Sequence, residues 1–358
     1  MMTNTPPSPQ PAPLPPGSTA TVLAFDIGGA NLKAADGRGW VTSEPFELWR
    51  RWQELPEALG RIVAARRPQQ IVATMTGEIA DCYSSRRAGV AHIVGAIEAA
   101  ARAVEPAVPL AIYLVDGSLV SAPEALSRPL ESAASNWHAV ARLAAHHAKT
   151  PRAFLIDIGS TTTDIIPLLD GAPQPLARDD VGRMATRELV YTGVERTPVA
   201  AIVRRVRWHH EKRPVASELY AQSRDIWLLL GGLPEDALST DTADGGRFTK
   251  DAARVRLARM LLIDPPDFSH LDAESAARQV ARLQTRQVAR ALRAVRRACG
   301  WRPTSLVLSG HGECLARAAL ERLSWKLPVV ELRQLLGPAI SRAAPAHSLA
   351  LIAQGLVP

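Results

Sequence analysis

Thr21-Val-Leu-Ala-Phe-Asp26-Ile-Gly-Gly-Ala-Asn-Leu-Lys33 is an apolar run that ends at an acid, turns through small residues and becomes apolar again. The same outline returns at Phe154-Leu-Ile-Asp157-Ile-Gly-Ser-Thr-Thr-Thr-Asp164. Each reads as a strand, a tight turn and a returning strand. Two ordinary glycine-turn hairpins would explain either copy alone. The matched Asp-Ile-Gly in both points instead to one phosphate-gripping design used twice.

The residue types suit that chemistry. Gly28, Gly29 and Gly159 are expected to take backbone angles closed to larger residues, so that several N–H groups converge on one anion. Asn31, Ser160, Thr161, Thr162 and Thr163 add polar donors, and Lys33 adds a point charge. Carboxylates repel phosphate, so Asp26 and Asp157 are expected to hold Mg²⁺ or its waters, with Asp164 helping.

Composition narrows the class. The chain has 358 residues, of which 47% are hydrophobic and 22% charged, as in a soluble globular protein of two domains. No apolar stretch approaches the roughly 20 residues of a spanning helix, so no membrane partner is expected. The first twenty residues are rich in Pro, Ser and Thr and read as a disordered tail, not a signal peptide. Cys82, Cys299 and Cys314 are far apart with no CxxC pattern. A thiolate metal site or disulfide framework is therefore not expected, and a reducing cytoplasm is the default.

The formal charge of +7 comes chiefly from arginine. Arg278, Arg282, Arg286, Arg290, Arg293 and Arg297 recur at helical spacing and are expected to form a solvated face. Aromatic–basic interleaving of an RNA-binding kind is not read, which argues against nucleic acid.

Working outward, Asp36-Gly37 is a natural turn after the first hairpin. Helical spacing at 55–66 and a strand at 70–75 begin an alternation that continues with a helix at 89–104, a strand at 111–115 and a helix at 133–149. That alternation predicts an α/β lobe with a mostly parallel sheet. The expected layout is a tail at 1–20, an N-terminal lobe at 21–149, a C-terminal lobe at 150–344 and a closing helix at 345–358. Helices are expected at 216–230, 250–262 and 273–299, within a helical insertion at about 198–300. A strand at 305–308 then runs through Gly310-His-Gly312 into a helix at 314–323, an arrangement that favours an anion or ribose. Neither GxGxxG nor GxxxxGK[ST] occurs, which disfavours dinucleotide and P-loop binding.

Two such hairpins and a glycine turn near the C-terminus resemble the superfamily of actin, sugar kinases and heat-shock ATPases. The resemblance implies a two-lobed actin-like, ribonuclease H-like ATPase fold with a central interlobe cleft. Gly310 and Gly312 stand where its adenosine motif belongs but lack the usual adjacent glycine pair, so ATP is the less favoured ligand. A narrower resemblance runs through about 21–355. Met75-Thr-Gly-Glu-Ile-Ala-Asp-Cys-Tyr83, Ala134-Ser-Asn-Trp-His138, Glu188-Leu-Val-Tyr-Thr-Gly-Val-Glu-Arg-Thr-Pro198 and Thr242-Ala-Asp-Gly245 are similar to the hydantoinase/oxoprolinase-like proteins of tetrahydromethanopterin-linked C1 transfer.

That resemblance implies a Mg²⁺-dependent aryl/alkyl transferase of methanofuran-type cofactor biosynthesis. An aminomethylfuran-methanol diphosphate would alkylate the phenol of a tyrosine or γ-glutamyltyramine acceptor and release diphosphate. Both partners are small molecules, and a homo-oligomer is allowed. Lys33 would assist catalysis, and Glu78 or Asp81 would take the phenol proton. For Glu78 and Asp81 a cap or salt bridge is the competing account. Trp137 reads either as a core residue or as a stacking surface. Arg86 and Arg87 read either as a surface pair or as partners for a substrate carboxylate. Thr192 and Arg196 belong to a matched segment without an assigned role. Two other functions remain open at this point. One is an ATP-dependent kinase or hydantoinase-like enzyme, and the other is a non-catalytic nucleotide-sensing partner protein.

Overall fold

The computed structural model describes residues 21–104 and 106–358, and the tail expected at 1–20 lies outside the described residues. Contacts divide the chain into two compact units. The first holds the described residues up to Ala148 with Leu168–Gly182 and Leu332–Pro358; the second holds Lys149–Pro167 and Arg183–Glu331.

In the first unit, β1 (Val22–Ile27), β2 (Asn31–Ala35), β3 (Val41–Pro45), β4 (Gln70–Met75), β5 (Leu110–Tyr113) and β6 (Leu119–Val120) form one sheet in the order β3-β2-β1-β4-β5-β6. β1 is antiparallel to β2 and parallel to β4, which is parallel to β5. Every residue of β1 and β4 is buried, as expected for strands covered by helices on both faces. Asp36 makes the turn after β2, its Oδ1 accepting from the N–H of Arg38 at 2.7 Å and of Trp40 at 3.0 Å. The helix Arg86–Arg102 starts at Ser85, whose Oγ accepts from Ala88 N at 3.1 Å.

In the second unit, β7 (Arg152–Ile158) and β8 (Thr163–Leu169) make the second hairpin, and β10 (Leu189–Val190) pairs with β8; β9 (Ala172–Pro173) pairs with the last two residues of β8, which like β9 fall in the first unit. β11 (Arg205–Trp208) and β12 (Glu211–Pro214) form a separate ribbon. β13 (Ser305–Gly310) is parallel to both β7 and β14 (Val329–Glu331). The order is β10-β8-β7-β13-β14.

The unit boundaries differ from those read in the sequence. Segments at 168–182 and 332–358 belong with the first unit because their partners lie there. The β9 stretch packs on the helix Asn136–His147, and the helix Ala344–Ala353 packs on that same helix and on β1, β2 and β4. Gln354 Nε2 donates to Asp36 O at 2.8 Å and Arg142 Nε to Pro358 O at 2.6 Å.

The insertion is not purely helical. His209 and His210, at φ 44° and 69°, turn the β11–β12 ribbon through two successive left-handed residues. The helix expected at 216–230 is confined to Ser223–Leu229, because Gln222 and Asp225 form a capping box there and Ala216 N is already bonded to Met260 O at 2.8 Å. The 30-residue helix His270–Cys299 is capped by Ser269 and ended by Gly300 at φ 74°. It buries Ala273, Ala277, Val280, Val288, Leu292 and Val295 and exposes the expected arginine face. Among the described residues no helix is long and apolar enough to cross a membrane.

Candidate functional site

Asp26 lies on β1, 2% exposed, directly across from Lys33 on β2. Lys33 Nζ is 3.3 Å from Asp26 Oδ2, while Asp26 Oδ1 is buried with no hydrogen-bond partner among the described residues. The turn closes by Gly28 N donating to Asn31 O at 3.0 Å. Gly29 O accepts from Leu48 N and Ala30 O from Phe46 N, both at 2.9 Å. A trans peptide points its N–H opposite its C=O, so the N–H groups of Ala30 and Asn31 face away from the Phe46–Leu48 segment. The cause expected for the turn's geometry is not the one observed. Neither Gly28 nor Gly29 has a positive φ, and the turn is oriented by what holds its carbonyls.

The end of β4 is tied to this turn. Thr76 N and Gly77 N both donate to Ile27 O at 2.9 Å. Glu78 follows, 1% exposed, with Oε2 unpartnered and Oε1 3.9 Å from Arg86 Nε. Arg86 is in turn bound through Nη2 to Asp180 Oδ2 at 3.3 Å. Burial pushes the Glu78 carboxyl up to about 7, with backbone donors and the Arg86 charge opposing. Helix Arg86–Arg102 presses on this backbone at Gly89, where a Cβ would stand 2.1 Å from Glu78 O. Asp81 and Arg87 are exposed. Trp137 is buried, edge-on to His138 with ring centroids 5.4 Å apart.

The second hairpin repeats the device. Gly159 N donates to Thr162 O at 3.0 Å, again without a positive φ at the glycine. Gly159 O accepts from Val194 N at 3.0 Å, and Ser160 O accepts from Glu195 N and Arg196 N at 3.1 and 2.9 Å. The N–H groups of Ser160 and Thr161 therefore point away from the 194–196 segment. Thr161 and Thr162 are half-buried, as is Asp157. β13 brings Ser309 beside Asp157, and Gly310, at φ +81°, follows. A Cβ at 310 would lie 2.2 Å from Ile158 O and 2.7 Å from Asp157 Oδ1. Gly312 N donates to Ile158 O at 3.0 Å.

Two expected ligands have other partners. Thr163 is fully buried, its hydroxyl donating to Thr192 O at 2.7 Å. Asp164 pairs through Oδ1 with the buried guanidinium of Arg183. Strand alternation turns Thr163 inward, into the protein interior. Of the three expected metal carboxylates, Asp26 belongs to the first unit and Asp157 and Asp164 to the second. Among the described residues no group of three or more His, Cys, Asp or Glu is arranged to hold a metal ion. Mg²⁺ commonly takes only one or two carboxylates, with water and phosphate completing its shell.

Four residues missed in the sequence shape the second site. His311 Nε2 is 3.4 Å from Glu195 Oε1 and 3.5 Å from Ser160 Oγ. Arg224, buried, places Nη2 3.9 Å from the same Glu195 oxygen. Beneath them, fully buried Gln284 donates to Thr192 Oγ1 at 3.0 Å and Gly193 O at 2.8 Å, and accepts from Trp227 Nε1 at 2.8 Å. A polar residue in the buried register of the long helix was the available signal. The Thr242–Gly245 segment also acquires a role. Asp244 Oδ1 accepts from Arg256 Nη1 at 3.1 Å, and Arg256 also binds Asp225 at 2.7 Å in a fully buried pair.

Known proteins match this chain closely enough to place it. It is 28% identical over 337 residues to the (4-{4-[2-(gamma-L-glutamylamino)ethyl]phenoxymethyl}furan-2-yl)methanamine synthase of Methanocaldococcus jannaschii, covering 93% of this chain and 97% of that protein. The protein of the same name from Methanococcus vannielii is 28% identical over 200 residues, covering 55% of this chain and 89% of the relative. Among solved structures, nucleotide-free acetone carboxylase has a TM-score of 0.55 at 12% identity, covering 92% of this chain and 70% of that one. That likeness shows the fold alone, the α/β actin-like ATPase fold expected from the two hairpins. A profile of the hydantoinase/oxoprolinase family matches residues 70–336, and the chain belongs to that family.

Proposed function

We propose that this protein is a transferase of methanofuran-type cofactor biosynthesis that forms an aryl furfuryl ether and releases diphosphate. The observation that carries the reading is the alignment over nearly the whole chain with a synthase whose product name contains a phenoxymethylfuran. In this reaction the furfuryl C–O bond breaks with its electron pair going to diphosphate. The phenol oxygen then bonds to the furfuryl carbon and gives up its proton.

The first unit supplies groups of the right kind. Ala30 and Asn31 offer N–H groups, and Lys33 offers a positive charge, for an oxyanion. Glu78 is the proposed base for the phenol. A carboxyl raised to about 7 is ionised often enough near neutrality to accept a proton and basic enough to use it. Asp81, exposed to solvent, lacks that tuning.

Mg²⁺ fits the carboxylates of both hairpins. Asp26 Oδ1 is a buried oxygen with no protein donor, and only glycine at 310 leaves room beside Asp157 Oδ1. Bound at either carboxylate, Mg²⁺ would supply charge neutralisation for the diphosphate. Asp164, paired with Arg183, is the weakest of the three proposed ligands.

The test is direct. Purified protein is incubated with aminomethylfuran-methanol diphosphate, Mg²⁺ and either tyrosine or γ-glutamyltyramine, and both ether and diphosphate are measured. Stoichiometric formation of the two is expected. Absence of ether and diphosphate with both acceptors refutes the reading, and substrate-dependent ADP release from added ATP would replace it with an ATP-dependent reaction.

A further inference from the structure

The loop between Gly310 and Gly312 delivers one side chain to the second hairpin. A Cβ at 310 would meet Ile158 O at 2.2 Å, and one at 312 would meet Ile158 Cγ2 at 2.3 Å. The loop therefore lies flat on the end of β7, and the residue between the glycines is the one that can reach the turn. That residue is His311, whose side chain is 29% exposed.

Its surroundings are built. Glu195 approaches from the 194–196 segment that also holds the turn's carbonyls. It places Oε1 3.4 Å from His311 Nε2, beside Ser160 Oγ at 3.5 Å from the same nitrogen. Arg224 secures Glu195 from behind. Its backbone N donates to Glu195 O at 3.0 Å, its Nη2 lies 3.9 Å from Oε1, and its Nη1 is 2.9 Å from Asp241 Oδ2. Burial pushes the Glu195 carboxyl up, but the bond to His311 and the charges of His311 and Arg224 outweigh it and hold it at about 2. A permanent carboxylate on Nε2 fixes a proton there, so Nδ1 is the ring nitrogen left to meet a ligand.

We propose that His311 is an anion-binding residue of the second hairpin, presenting its Nδ1–H to a diphosphate oxygen while Glu195 and Ser160 position it through Nε2. A diphosphate oxygen at Nδ1 and the Glu195 carboxylate at Nε2 are both hydrogen-bond acceptors, so the ring meets each through an N–H. The choice of diphosphate as ligand class rests on the proposed function. The built dyad does not.

Binding of inorganic diphosphate with Mg²⁺ to the full chain, measured by titration calorimetry, tests the inference without any organic substrate. His311→Gln, which keeps the side-chain bulk, is expected to weaken binding at least about tenfold, the scale of a lost charge-assisted hydrogen bond. Glu195→Gln weakens it less, and loses most of its effect once His311 is replaced, because it acts chiefly through that ring and only secondarily through its hydrogen bond to Ser160. Thermal unfolding of each variant checks that the fold is kept, and His311→Asn provides a second replacement should Gln disturb the loop. Diphosphate affinity within about twofold of the parent in both His311 variants overturns the inference, as does a parent that binds no diphosphate. His311-dependent diphosphate binding without ether formation would sink the proposed reaction and leave this site standing. Ether formation with His311-independent binding would do the reverse.

Discussion

Replacing Glu78 by Gln is expected to stabilise the protein and stop the reaction. The carboxyl is 1% exposed, and burial lifts it from an ordinary 4.5 to about 7. The folded chain thus holds this proton more tightly than the unfolded chain does. The stability it contributes is fully present below about pH 4.5 and is lost as pH rises through about 7. At about 1.4 kcal/mol per pH unit, the loss reaches a ceiling of about 3 kcal/mol by about pH 8. Glutamine keeps the shape of the protonated acid and has no charge to desolvate. Glu78→Gln should therefore match the parent near pH 4.5 and exceed it by up to about 3 kcal/mol near pH 8, an upward shift in Tm of about 4 °C for a chain of this length. Ether formation by the same variant should fall by at least about a hundredfold, the contribution of a positioned base. Urea unfolding of parent and variant across this pH range measures the first effect, and product analysis the second. A stability difference that does not change with pH would refute the desolvation argument, and an active variant would refute the role as base.

Three further substitutions probe the second unit. Arg256→Leu strands the fully buried carboxylate of Asp225 and should cost about 3–5 kcal/mol in chemical denaturation; a cost below about 1 kcal/mol would show the pair to be dispensable. Gln284→Leu orphans the buried Trp227 N–H and removes the support under Thr192 and Gly193, with an expected cost of about 2–4 kcal/mol that Trp227→Phe in the same chain should partly restore. Gly310→Ala forces a side chain into a positive φ and against Ile158 O, and should cost at least about 2 kcal/mol and abolish diphosphate binding. Unchanged diphosphate affinity in Gly310→Ala would remove the loop from the site.

Much of the fold is legible because its signals are local. Apolar runs of strand length, an Asp-Gly turn and small residues after each Asp-Ile-Gly mark both hairpins without tertiary help. The β11–β12 ribbon escaped because its turn is His209-His210, not the Gly or Asn pair that usually announces left-handed residues. The unit boundary was misplaced because 332–358 finds its buried partners in β1, β2 and β4, at the far end of the sequence.

The chain's residue order thus determined the two turns, the acids that open them and the strands that carry them, since each depends on neighbours a few residues away. Only tertiary structure decided which candidate groups can serve. It buried Glu78 and left Asp81 in water, turned Thr163 inward, gave Asp164 to Arg183, and set His311 beside Ser160, 151 residues away in sequence. Desolvation and charge pairing act through space, so a side chain's ionisation and partners belong to the fold and not to the local sequence.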